Sequence, residues 1–149
     1  MLIPPQLLEQ LKQDEGLRLA AYWDPIGKVW TCGYGSTGPN VTENTVWTQA
    51  QADAHLVADA THAGLELNDQ LPWTQDLGEV RHAVFWNMTF NMGIGNLMGF
   101  HATLGAAQAG RFDECAAQML NSLWASQVGA RAQRLAQQMR TNQWVMASG

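Results

Sequence analysis

Three side chains near the start of the chain have the types and spacing for paired acid–base chemistry. Glu15 is followed nine residues later by Asp24, and Thr31 comes seven beyond that. Two carboxylates facing one another across a cleft suit glycoside hydrolysis: one stays protonated to donate to the leaving oxygen, the other stays ionised. The local settings favour that division. Glu15 falls at a helix C-terminus, whose negative dipole end favours the protonated acid. Asp24 falls on a turn with free N–H groups beside Lys28, which favours the anion. Thr31, on the adjacent strand, offers a hydroxyl able to orient a water. By itself the pair discriminates little, because acids at helix ends and turns are common.

The elements that must position these residues follow from periodicity. Pro4 and Pro5 suit an opening helical turn, and Leu7, Leu8 and Leu11 mark one face of a helix over 5–15 stopped by Gly16. Residues 17–23 and 29–35 read as two short β runs around the Asp24-Pro-Ile-Gly-Lys turn, with a third strand starting at Val41. Together they predict a small β lobe over about 17–47. Thr48 and Gln51 form a capping box that opens a long helix over about 48–68. From Trp73 to the end, about 73–149, the pattern is helical, with segments at Leu77–Met92, Thr103–Ala109, Phe112–Leu120 and Val128–Met139. The expected fold class is α+β and mostly α-helical: a single domain of two lobes, joined by the Thr48 helix with a cleft between them, the default place for a site.

Composition narrows the function classes. A chain of 149 residues, 46% hydrophobic and 14% charged with seven Trp, has ample material for a core and is not a disordered segment. No stretch approaches the ~18–20 apolar residues of a membrane span. The start lacks a basic leader, so no signal peptide is expected. Cys32 and Cys115 alone make neither a disulfide framework nor a zinc site. The net charge of −5 is divided: residues 29–80 hold seven carboxylates and no Lys or Arg, whereas from Cys115 onward there is no acid and Arg131, Arg134 and Arg140 appear. An acidic middle argues against a nucleic-acid groove, and the three arginines read as a solvated helix face.

Glu15-Gly-Leu-Arg-Leu, Tyr22-Trp-Asp24-Pro and Trp30-Thr31-Cys-Gly-Tyr-Gly35 resemble the signature of the phage lysozyme (endolysin) family, glycoside hydrolase family 24. A second run is similar to that family's helical lobe in the same order: Arg81 to Gly93, Gly99-Phe100, Arg111-Phe-Asp-Glu-Cys-Ala-Ala, and Trp124 through Arg134. The resemblance implies a lysozyme-like fold and inverting cleavage of the β-1,4 bond between N-acetylmuramic acid and N-acetylglucosamine in peptidoglycan. It makes Glu15 the general acid, Asp24 the second carboxylate and Thr31 the water-positioning hydroxyl. Thr37, Phe90, Thr103 and Gln118 match positions lining the saccharide cleft, Asn91 and Trp124 a pair at its back, and Asp14 and Arg131 a buried ion pair beside the acid. It further implies a monomer without cofactor or metal, acting on glycan strands rather than on nucleic acid or by membrane insertion. Such an enzyme waits in the host cytoplasm until a holin opens the membrane to the wall. The chain departs from the pattern in its seven-residue Asp24-to-Thr31 interval, where many relatives have six, in Ser36 where some carry His, and in its acidity.

Other features have plainer readings. His55, Asp59 and His62 share a helix face and could bind a metal, but a solvated polar face is the far better account of them. Cys32 has no His–Asp partners and reads as packed, like Cys115. Trp23, Trp30 and Trp47 could stack on sugars or fill a thin β-lobe core, and Met88, Met92, Met98, Phe90 and Phe100 read as helical core. Two other functions compete: a catalytically silent wall-binding module, disfavoured by the intact Glu15, Asp24 and Thr31, and a lytic transglycosylase, which needs neither Asp24 nor Thr31.

Overall fold

Proline lacks an N–H, a loss without cost in an opening helical turn. In the computed structural model, which describes residues 1–147, helix α1 starts there and spans Pro5–Glu15, burying Leu7, Gln10 and Leu11. Gly16 ends it with a left-handed φ of 68°, its N–H donating to the Lys12 carbonyl. The chain divides into two compact units, Met1–His62 and Ala63–Gly149. The predicted helical segment reaches 149, and residues 148 and 149 lie outside the described residues.

In the first unit, β1 (Arg18–Asp24) and β2 (Val29–Gly33) form an antiparallel hairpin. Tyr22 lies opposite Thr31, Trp23 opposite Trp30 and Asp24 opposite Val29, with a register shift between Arg18 and Tyr22. Strand side chains alternate between faces, so Tyr22, Asp24, Val29 and Thr31 share one face and the two tryptophans the other. The indole rings meet edge to face at 5.5 Å, with Trp23 half exposed.

The third strand expected from Val41 does not form. Residues 39–44 turn instead, and the edge of β1 is met by a single bridge, Ala20 to Val46, flanked by Ala21 N–H on Thr45 O and Trp47 N–H on Leu19 O. Three glycines and a proline between 33 and 39 break the extended run before it can align. Gly33 also makes room for the core. Its φ is 67°, and a Cβ there would stand 2.9 Å from the buried Trp47 ring.

Helix α2 (Gln49–Gln70) opens on the capping box, Gln51 N–H to Thr48 Oγ1 at 3.1 Å and Thr48 N–H to Gln51 Oε1 at 2.8 Å. Within the first unit it buries Ala52, Leu56 and Ala60, stacks His55 on Trp47 at 3.9 Å, and sets Asp53 3.8 Å from Lys12 of α1.

Among its described residues the second unit holds helices and no strand, and the expected helical pattern stops at Thr141, with 142–147 lacking regular structure. A 3-10 turn (Pro72–Leu77) leads to α3 (Glu79–Met92), α4 (Ile94–Met98), α5 (His101–Gln108), α6 (Phe112–Leu120), α7 (Leu123–Val128) and α8 (Ala130–Thr141). Seven consecutive α3 residues, Ala83 to Thr89, are buried, the pattern of a helix covered on all sides. The 3-10 turn, α4 and α8 pack on α3, and α6 lies between α5 and α8. Phe85, Met88, Leu97, Cys115, Met119, Leu135 and Met139 fill the core. Two expected boundaries move: the helix from Leu77 starts only at Glu79, because Gly78 (φ 88°) separates it from the 3-10 turn, and the last helix starts at Ala130 rather than Val128, because Gly129 (φ 61°) divides α7 from α8. The fold class is thus α+β and mostly helical. No helix among the described residues is long and apolar enough to cross a membrane.

Candidate active site

The three candidate catalytic residues all belong to the first unit. Glu15 is the last residue of α1 and is half-buried; a Cβ on Gly35 would lie 3.4 Å from its Oε2. The Glu15 carboxylate therefore passes close to the Gly35 backbone. Asp24 closes β1, and its Oδ1 accepts the Ile26 N–H at 2.9 Å. This Asx turn converts a free turn N–H into a clamp on one carboxylate oxygen. The turn continues through Lys28, whose φ of 54° is left-handed.

Thr31 shares the face of Asp24 and is buried, 4% exposed. Its hydroxyl reaches the Val29 carbonyl at 3.4 Å. An O–H···O bond of normal strength is nearer ~2.7 Å, so that contact holds the hydroxyl loosely. A water placed between Thr31 and Asp24 would compete for it easily. Thr37 sits on an exposed loop of this unit, and Ser36 beside it is buried and donates to Asp59 Oδ2 at 2.6 Å. On the α2 face that carries His55, Asp59 and His62, His55 is thus stacked on Trp47 and Asp59 accepts from Ser36. Among the described residues no group of three His, Cys, Asp or Glu is placed to hold a metal.

In the second unit a 570 Å³ pocket gathers three of the remaining candidates: Thr103, Gln118 and Trp124. Trp124 Nε1–H donates to Asn91 Oδ1 at 2.7 Å, and the Phe100 ring meets Trp124 edge to face at 6.3 Å. Asn91 therefore orients a pocket wall. Phe90, half-buried near the end of α3, does not line this pocket. His101, Asn121 and Gln127 do line it and escaped the sequence reading, because isolated polar residues on or beside short helices carry no pattern.

Arg131 is buried, 7% exposed, and its Nε and Nη2 donate to Asn87 Oδ1 at 3.1 and 2.9 Å. Asn87, missed by the sequence reading, is fully buried and 44 residues away. His82 Nε2–H donates to Asn68 Oδ1, 2.8 Å away, and burial pushes its pKa down. Both cysteines are free and buried. Burial raises the Cys115 thiol to about 12, opposed in part by the Arg81 charge, so it stays protonated and inert near neutrality.

A helix-end acid, a clamped hairpin aspartate and a buried threonine on the aspartate's face thus all occur in the first unit of a mostly helical α+β fold. The phage lysozyme family model matches residues 12–143, and the chain belongs to that family. It is 28% identical over 153 residues to the pre-baseplate central spike protein Gp5 of Enterobacteria phage T4, covering 87% of this chain and 26% of that protein. It is 26% identical to the probable T4-type lysozyme 1 of Dictyostelium discoideum, over 85% of this chain and 89% of the relative. A 53-residue stretch is 47% identical to the endolysin of Lactococcus phage c2, covering 35% of this chain and 23% of that endolysin. The chain thus spans about a quarter of the spike protein and of the Lactococcus phage endolysin.

Proposed function

We propose that this chain is an endolysin-type muramidase, hydrolysing the β-1,4 bond between N-acetylmuramic acid and N-acetylglucosamine in peptidoglycan with inversion, and so lysing the host cell. The observation that carries this reading is the placement of Asp24 and Thr31 on one hairpin face, in the unit that also presents Glu15 at the end of α1. Glu15 protonates the departing sugar oxygen. Asp24 takes a proton from water and faces the oxocarbenium-like centre with negative charge, while Thr31 supplies the second anchor for that water. Clamping Asp24 Oδ1 on the Ile26 N–H leaves Oδ2 for the water, which spares the side chain a search through rotamers.

In this reading Thr37, Phe90, Thr103, Gln118, Asn91 and Trp124 meet the glycan, the protein acts as a monomer without cofactor, and it reaches the wall once a holin has opened the membrane. Purified peptidoglycan digested by the protein should yield reducing ends. Release of 1,6-anhydro sugars would establish a lytic transglycosylase, and binding without release a silent wall-binding module.

A further inference from the structure

The turn between β1 and β2 holds its glycine in an unexpected place. Glycine serves a turn where φ must be positive. Here the left-handed residue is Lys28, with φ 54°, while Gly27 just before it has no left-handed φ. Gly27 is also exposed, so core packing does not require it. What does require it is the neighbouring carboxylate. A Cβ built on Gly27 would stand 2.9 Å from Asp24 Oδ2, 3.5 Å from Asp24 Cγ and 3.4 Å from Val29 Cγ1.

We propose that Gly27 is a positioning residue for Asp24: its bare Cα leaves the space in which Oδ2 lies, while the Ile26 N–H holds Oδ1. The inference rests on the muramidase reading of Asp24 and deepens it. The two contacts divide the labour. The hydrogen bond at Oδ1 sets one end of the carboxylate, and the absence of a side chain at 27 lets the plane of the group settle over the turn. A methyl at 27 must gain about 0.5 Å to reach ordinary contact. The cheap way is rotation of a single carboxylate about its own bonds, since the backbone at 27 already suits an L residue. Stability is therefore kept and catalytic geometry is lost. Misplacing a reacting group by ~1 Å can cost ~10²-fold in rate.

The test measures kcat, KM and melting temperature on soluble glycan chains for the wild type, Gly27→Ala, Asp24→Asn and the double variant. Gly27→Ala should lower kcat by roughly 10- to 100-fold, with KM and melting temperature held. The double variant should be no slower than Asp24→Asn alone, because the glycine acts only through that carboxylate. The inference is overturned if Gly27→Ala keeps more than about half of kcat, if its melting temperature falls along with its rate, or if the double variant loses further activity. Wild-type kcat in Asp24→Asn would instead remove the muramidase role of Asp24, and the inference with it.

Discussion

Along β1 no residue is fully buried, whereas α3 buries seven in a row. The hairpin and the helical unit are therefore shaped by different forces. The hairpin turn is set by local backbone devices: an Asx clamp, a left-handed lysine and a glycine under a carboxylate. The helical unit is set by close packing, where lost volume or a stranded polar group is felt as stability. Substitutions at the hairpin turn should cost rate and leave folding alone, while those in the helical unit should do the reverse.

The largest expected effect is in the hairpin. Asp24→Asn keeps an Oδ1 able to accept the Ile26 N–H, so the turn should hold. The base is lost, and lysis of chloroform-treated cells should fall by roughly 10²- to 10⁴-fold. Circular dichroism melting should show little change. A large drop in melting temperature would break the contrast, since the hairpin would then carry packing as well as chemistry.

The next effect belongs to the helical unit. Arg131→Met strands the buried Asn87 oxygen, at a cost of roughly 1–3 kcal/mol. At about 2–4 °C per kcal/mol for a chain of this size, the melting temperature should fall by several degrees. An unchanged melting temperature would contradict this account of Arg131.

How much of this contrast could be read beforehand follows the same division. Helix α1 was legible because its signals are local: prolines at the start, leucines on one face and Gly16 at the end. The capping box of α2 was legible for the same reason. Glu15, Asp24 and Thr31 stood out through short motifs. The rest depends on contacts distant in sequence or on backbone angles that side chains do not announce. Lys28 is not a residue one assigns a positive φ. Ser36 finds Asp59 23 residues on, and Arg131 finds Asn87 44 residues back. Helix α4, five residues between two glycines, is too short for periodicity to register.

The smallest expected effect is on the pH dependence of folding. Burial lowers the His82 pKa, so between the folded value and the unfolded value near 6.5 the unfolded chain binds the extra proton. The stability that the neutral ring contributes is present above about 6.5 and is lost as pH falls toward the folded pKa. The melting temperature should therefore drop on acidification below that point, and His82→Gln should blunt the drop. An equal slope in the variant would assign the effect to other groups.

The role of Glu15 offers the most direct test of the whole account. Glutamine in its place keeps size and polarity at the end of α1 but has no proton to give. Glu15→Gln should fold with a melting temperature equal to or above that of the wild type, because a carboxylate facing the negative end of a helix is gone. Its release of reducing ends from purified peptidoglycan should fall to background, a loss of at least ~10²-fold. A folded Glu15→Gln protein that retained more than about a tenth of wild-type release, against that range for acid catalysis, would contradict the assignment of Glu15 as the proton donor.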